Sequence, residues 1–289
     1  MVLQEAYTLS NGVNIPKVGL GTWRIADADA VQVVKDAVGI GYRHIDTAQA
    51  YQNERGVGEG IRTCGVKREE LFVTTKLAAE IKSYKEAVDA IDRSLKTLGL
   101  DYIDLMLIHS PKPWREFHKD EHYFEGNREA WRALEEAYGA GKLRAIGLSN
   151  FEHVDIDNIL EACTVSPMVN QILAHIGNTP FELIQYSQEK GMVVEAYSPF
   201  GHGQFLKHPP QQVVQIAQKY GVTVSQLAIR YLLQLDLLPL PRSQSPAHMQ
   251  QNADVNFVIG DEDMTLLKGI EFKEYGEASI FPVFGGKLE

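Results

Sequence analysis

Eight short apolar runs, each followed by a helix-patterned segment, constrain this 289-residue chain more than any other feature. The runs are VGLGT (18–22), YRHIDTA (42–48), LFVTTKL (71–77), IDLMLIHS (103–110), AIGLSN (145–150), MVNQILAH (168–175), MVVEAYS (192–198) and LLPLPRS (237–243). A strand with one wet face alternates polar and apolar residues. Most of these runs do not, so both faces are expected to be covered, as in a parallel sheet. Between them lie amphipathic segments. YKEAVDAIDRSLKTLGL carries Val88, Ile91, Leu95 and Leu98 at spacings of three and four, which makes one apolar stripe on a helix. GNREAWRALEEAYGAGK places Trp131, Leu134 and Tyr138 on another, with Gly139 and Gly141 to end it. Further helices are predicted at 27–39, 53–63, 153–163, 180–190, 210–220, 223–235 and 247–254. Eight strand–helix units without a Pro/Gly/Ser-rich linker predict one α/β domain over residues 1–289, a (β/α)8 TIM barrel. The alternative, a doubly wound open sheet, usually has a glycine fingerprint after its first strand. GLGTWR lacks that spacing. Residues 8–17, around SNG, predict a short N-terminal β-hairpin before the first barrel strand.

Composition narrows the function by exclusion. A formal net charge of -10 argues against nucleic acid and anionic membranes as partners. No apolar run approaches the ~18 residues of a membrane span, and MVLQEAYTLSNG has no basic start followed by an apolar stretch. The two cysteines, Cys64 and Cys163, lack metal-ligand spacing and read as reduced thiols of a cytoplasmic protein. A monomer is expected.

The polar residues at the strand ends are what the barrel does not need for folding. Asp46 ends the second strand, Lys76 the third, His109 the fourth and Asn150 the fifth; Gln171 lies in the sixth and Tyr197 near the end of the seventh. Barrel enzymes carry their chemistry at this end. Side chains alternate across a strand, so Phe72, Thr74 and Lys76 share one face, and Leu105, Leu107 and His109 another. If those faces point to the axis, Lys76 and His109 both enter the mouth. Singly, each residue has a plain structural reading: a strand-end histidine, a snorkelling lysine, a capping aspartate, and Tyr51 as a loop aromatic. Their occurrence on successive strands at one end is harder to explain that way. Chemically they form a set. A phenol with a reference pKa near ~10 has that value lowered by a neighbouring ammonium; Lys76 supplies the charge and Asp46 holds Lys76. His109 can orient a substrate oxygen. Such an acid suits protonation of an alkoxide formed from a carbonyl. The hydride must come from elsewhere, which implies a nicotinamide cofactor. Two rival readings are a metal-dependent hydrolase using His44, Asp46 and His109, and a cofactor-binding redox-sensing module without physiological turnover. The first leaves Lys76 and Tyr51 unexplained.

Over essentially its full length the chain resembles the aldo-keto reductase family. DTAQAYQNERGVG is similar to that family's first signature, LGLDYIDLMLIHSP to its second, GKLRAIGLSNF to its fifth strand, and PRSQSPAHMQQN to its adenosine-gripping segment. The resemblance implies a catalytic set of Asp46, Tyr51, Lys76 and His109, with Tyr51 as general acid. It implies that Ser149, Asn150 and Gln171 hold the nicotinamide carboxamide and that Tyr197 stacks on the ring. Gly21, Thr22 and Trp23 would lie beside the cofactor, with Trp23 between it and the substrate. Ser198, Phe200 and Gly201 would border the pyrophosphate, and Arg242, Ser243, Gln244, Ser245, His248, Gln251 and Asn252 would surround the adenosine and its 2′-phosphate. The implied cofactor is NADPH, with NADH possible, and the implied partner a small-molecule carbonyl substrate. No metal is expected. Trp23, Tyr51, His109, Ser110 and Trp114 would form the substrate pocket.

Several positions depart from the pattern. Ser110 replaces a frequent tryptophan and would shrink one pocket wall; Arg242, His248 and Gln251 replace the usual lysine, arginine and glutamate. Gln204 stands where some members carry an aspartate in a belt over the pyrophosphate, which implies a short or open belt. Glu195, on the same face as Tyr197 and one layer deeper, is expected to be structural and paired with a cation inside the barrel. The loops at 111–126 and 273–289 are rich in aromatics and predict an aromatic-lined pocket.

Overall fold

The structure is a computed structural model that describes residues 2–288. Strands β1 (Ala6–Thr8) and β2 (Asn14–Pro16) form the predicted antiparallel hairpin. Tyr7 reaches the carbonyl of Leu237, and Asn11 donates to that of Arg144. Both acceptors lie at the starts of barrel strands, so the hairpin lies across the end opposite the expected site.

The barrel strands follow in order: β3 (Gly19–Gly21), β4 (His44–Asp46), β5 (Phe72–Leu77), β6 (Ile103–Ile108), β7 (Leu143–Ser149), β8 (Val169–Leu173), β9 (Val193–Tyr197) and β10 (Leu237–Leu240). Each pairs in parallel with its sequence neighbour. The Gly21 N–H bonds the carbonyl of Pro241, 3.1 Å away, bringing the last strand to the first. The barrel is thus nearly closed, as the eight buried runs imply. The helices are α1 (Asp27–Ile40), α2 (Glu54–Thr63), α3 (Tyr84–Leu98), α4 (Phe124–Gly139), α5 (His153–Leu160), α6 (Phe181–Glu189), α7 (Gln204–Lys207), α8 (Gln211–Tyr220), α9 (Val224–Leu233), α10 (Pro246–Ala253) and α11 (Asp261–Lys268). Short α7 and α11 are absent from the sequence reading. Only Met264 and Leu267 among α11's apolar residues are buried, too small a stripe to set a period.

Local chemistry explains the boundaries. Gly99 ends α3 in the left-handed region at φ 65°, and Thr223 starts α9 with a capping box to Gln226. Two glycines set how closely the helices pack: a Cβ on Gly56 would sit 2.0 Å from the Asp27 carbonyl oxygen, and one on Gly58 2.0 Å from that of Leu98. Helix α2 is thereby drawn against α1 and α3, and the loop carrying Tyr51 runs directly into it. Near the starts of the strands, fully buried Asp104 accepts from Arg68 (2.6 Å), Arg144 (2.7 Å) and the Val73 N–H (2.9 Å). This carboxylate ties together β5, β6 and β7, and its charge is matched by two guanidiniums rather than left bare.

Candidate active site

Asp46 ends β4 and is almost fully buried. Its cost is offset by Lys76, whose Nζ lies 2.7 and 2.8 Å from the two carboxylate oxygens and 2.9 Å from the Thr47 carbonyl. The parity argument holds: Lys76 pairs with Leu107 in register, and its ammonium lies within the barrel mouth. Burial works against its charge, but Asp46, Tyr51 and Glu195 outweigh that and raise its pKa. The Tyr51 hydroxyl is 3.4 Å from Nζ. Here the balance differs from the sequence expectation. Burial raises the Tyr51 pKa more than Lys76 lowers it, so the phenol is held protonated, as a donor requires. His109 follows β6; its ring centroid is 5.7 Å from that of Tyr51 and 5.2 Å from that of Trp114. Burial, then the Lys76 charge, holds its pKa well below the usual histidine value. A neutral imidazole can donate one hydrogen bond and accept another.

Asp46, Tyr51 and His109 line one cavity of about 460 Å³, and Lys76 lies buried behind them, a volume within the usual range for small-molecule sites. It runs from Asp46, Tyr51, His109 and Trp114 past Gly21, Trp23, Ser149, Asn150, Gln171, Tyr197, Ser198 and Phe200 to Arg242, Ser243, His248, Gln251 and Asn252. One continuous cleft therefore joins the inner tetrad to the outer segment at 242–252, as a long dinucleotide needs. Asn150 donates to the Ser149 hydroxyl and to the His109 carbonyl, both at 3.0 Å, and accepts from Tyr197 at 2.7 Å. Asn150 and Ser198 at strand ends, and Arg24 and His202 in the loops, adopt left-handed backbone without being glycine, and all four line the cavity. Such strain concentrates where a site must be shaped.

Some expected residues lie elsewhere. Ser110 is fully buried and does not line the cavity; its hydroxyl bonds the Lys112 carbonyl at 2.7 Å, and its own carbonyl accepts from Lys82 at 2.8 Å. Trp114 supplies that wall. Thr22 is turned inward, with both its N–H and its hydroxyl on the Asp46 carbonyl. Gly201 is buried in a turn and does not line the cavity. Gln244 is exposed and Ser245 half-buried, and neither lines the cavity; Ser245 caps α10 by accepting from the His248 N–H. The segment expected to form a short or open belt includes the turn just before Gln204. The turn Gly201–Gly203 brings the His202 ring to 5.1 Å from Trp23, and both rings line the cavity. Gln204 faces the tail at Gly276 instead.

Sequence reasoning missed Arg24 and His202. Arg24 lies over the Trp23 ring, 5.1 Å from its centroid, and lines the cavity. Burial first, then Arg24 and Arg242, draws down the His202 pKa. Partial burial first, then the Arg24 charge, does the same for exposed Arg242. A cluster of positive charge thus surrounds the outer cavity of an acidic protein. The basic residue directly after GTW was the available signal. His44, part of the rival metal reading, bonds Thr74 at 2.9 Å in the barrel interior. No three His, Cys, Asp or Glu among the described residues are grouped to hold a metal ion.

The family model for the Aldo/keto reductase family matches residues 17–271. The glyoxal reductase of Bacillus subtilis (strain 168) is 39% identical over 94% of this chain and 95% of its own. The uncharacterized oxidoreductase YtbE of the same organism is 40% identical over 93% of each. Among solved structures, the aldo-keto reductase of Bombyx mori in complex with NADP superposes with a TM-score of 0.81 at 36% identity, covering 91% of this chain and 92% of that one.

Proposed function

As the chain belongs to the aldo/keto reductase family, we propose that it reduces aldehydes or ketones to alcohols using NADPH, with Tyr51 as the proton donor. The observation that carries this reading is the buried Lys76 ammonium, bound to Asp46 and Thr47 and 3.4 Å from the Tyr51 hydroxyl, behind Asp46 and Tyr51, which line a cavity continuing to a cationic outer end. The residues present fit a nicotinamide dinucleotide. Ser149, Asn150 and Gln171 would hold its carboxamide and Tyr197 its ring; Arg24, Arg242, Ser243 and His248 would meet its phosphates. When bound, the reduced cofactor supplies the hydride.

The chain's own residues do the rest. His109, neutral, donates a hydrogen bond to the carbonyl oxygen and points it at Tyr51. Tyr51 hands its hydroxyl proton to that oxygen as negative charge develops there. Lys76 stabilises the phenolate left behind, and Asp46 keeps the ammonium in place. Trp23 and Trp114 exclude water from the inner cavity.

The outer charge supports NADPH over NADH. Arg242 is a permanent cation able to bind phosphate through two hydrogen bonds, with Arg24 beside it. His248, replacing an arginine of many members, leaves the preference incomplete, so NADH is used as a poorer cofactor. The two free thiols support a cytoplasmic setting, and we take the protein to act as a monomer. The test is a carbonyl panel that includes glyoxal, assayed with both reduced cofactors on wild type and Tyr51→Phe. Phenylalanine keeps the ring and removes the proton. General acid catalysis is worth about 10²–10⁴-fold, so kcat should fall by that order while cofactor binding persists. Near wild-type turnover by Tyr51→Phe, with hydride transfer rate-limiting, would remove Tyr51 from this role. No turnover of any carbonyl by the wild type would favour the redox-sensing module.

A further inference from the structure

Glu195 is fully buried, yet among the described residues no lysine or arginine comes within ion-pairing distance of it, and Lys76 acts on it only from farther off. The nearest basic group is His44, 3.8 Å away. That ring is already bonded to Thr74 and is neutral, its pKa drawn down to about 3 by burial and then by Lys76. The Glu195 oxygen nearest that ring, Oε1, receives no hydrogen bond among the described residues. Its one hydrogen bond, 2.6 Å to the other oxygen, comes from Gln171 Nε2. The expected internal ion pair with a cation is therefore not made among the described residues. A buried carboxyl without a pair is a cost that an apolar side chain of similar size would avoid.

What Glu195 contacts explains why it is there. Gln171 and Glu195 are register partners on β8 and β9, so their side chains project together into the barrel. Asp46 lies on β4, four strands from β8 around an eight-stranded barrel, hence on the far side of the axis. Gln171 spans that axis: its Nε2 is also 3.0 Å from Asp46 Oδ2. Asp46, ion-paired with Lys76, can only accept. The atom between the two carboxyl groups must then be the amide nitrogen, and both its hydrogens are used. The carbonyl oxygen of Gln171 makes no hydrogen bond to the described residues, and Gln171 lines the cavity.

We infer that Glu195 is a positioning residue for cofactor recognition: with Asp46 it takes both amide hydrogens of Gln171, fixing the Gln171 carbonyl oxygen as an acceptor that selects an N–H-bearing substituent on the ring bound there. This rests on the reading of the cleft as a nicotinamide site. A free glutamine can flip and offer a donor or an acceptor. One gripped at both hydrogens offers only the acceptor, and a primary carboxamide supplies the matching N–H. Glu195 touches neither cofactor nor substrate in this scheme and acts only through Gln171.

The experiment measures dissociation constants, by quenching of intrinsic fluorescence, for NADP⁺ and for its 3-acetylpyridine analogue, which keeps the ring carbonyl and replaces the amide nitrogen by methyl. Losing one hydrogen bond and leaving its acceptor bare costs about 1–2 kcal/mol, roughly 5–30-fold. The wild type should prefer NADP⁺ by that factor. Glu195→Met should lose most of the preference, because the released amide can turn. Glu195→Gln, whose own carbonyl can accept from Gln171, should retain it within about twofold. Equal binding of both ligands by the wild type overturns the inference whether or not Glu195→Met folds. So does an unchanged preference in Glu195→Met, or an equal loss in both variants, which would show that an acceptor at this position is not what fixes Gln171. Absence of NADP⁺ binding by the wild type would instead defeat the nicotinamide reading itself.

Discussion

The Tyr51 phenol is subject to two opposed influences, and their balance decides its chemistry. Burial raises its pKa; Lys76, by charge and hydrogen bond, is what lowers it. Lys76→Met removes the lowering influence and keeps much of the stem, so the phenol limb of the pH–kcat/KM profile should move to higher pH. A profile that stays in place would show that Lys76 does not tune Tyr51. Glu195 makes a second residue-scale prediction, on stability. Burial first, and the Asp46 charge second, raise its pKa to about 8, against about 4.3 for a free glutamate. Between these values the folded state holds a proton that the unfolded chain has lost. The stability this gives is complete below about pH 4 and is lost as pH rises through about 8. Glu195→Gln cannot titrate. Its thermal midpoint relative to wild type should therefore climb from pH 5 to pH 8, and scanning calorimetry that finds a constant difference would contradict the buried titration.

At the scale of elements, the site depends on how closely helices approach the strands that carry it. Helix α2 begins three residues after Tyr51, so its seat sets where the phenol sits. In an exposed helix, Gly→Ala stabilises by about 1 kcal/mol. At Gly58 the added methyl would overlap the Leu98 backbone, and overpacking typically costs about 1–3 kcal/mol. The second effect wins, because backbone cannot move aside as a side-chain tip can. Gly58→Ala should lower the melting temperature and reduce kcat/KM; an unchanged or higher melting temperature would mean that α2 and α3 can slide apart freely. The strand–helix periods made most of this architecture readable beforehand. They did not reveal α7 and α11, whose buried stripes are too short to repeat.

Across the whole molecule, the C-terminal tail closes what the barrel leaves open. Tyr275, Ala278 and Phe284 form a small apolar cluster apart from the main core, with Trp23, Leu173, Phe281 and Val283 packed on it. Phe281 lies 5.3 Å from Trp23, ring to ring, and Phe281 and Phe284 both line the cavity. Removing residues 279–289 should leave the barrel folded and cofactor binding within a few-fold of wild type. It should raise KM for bulky carbonyls at least about tenfold, since an apolar wall contact is worth about 1–3 kcal/mol. Loss of folding on this truncation, seen by circular dichroism, would show instead that the small cluster is part of the structural core.

The sequence by itself determined the barrel and the end of it that carries chemistry. Short runs buried on both faces and helical stripes of period 3.6 are local properties, and Asp46, Lys76 and His109 announce themselves as polar residues at the ends of successive strands. Their side-chain parity was enough to aim Lys76 at the mouth. Only the tertiary structure decided what depends on neighbours distant in the chain. Ser110, adjacent to His109, turns away from the cavity because Lys112 and Lys82 claim its polar atoms. Arg24 and Arg242 come together because the first strand meets the last. Glu195 finds Gln171 rather than a cation because β8 and β9 are in register. Hydrogen bonds and Coulomb interactions act over a few ångströms of space, and sequence distance does not measure that space once a barrel has closed.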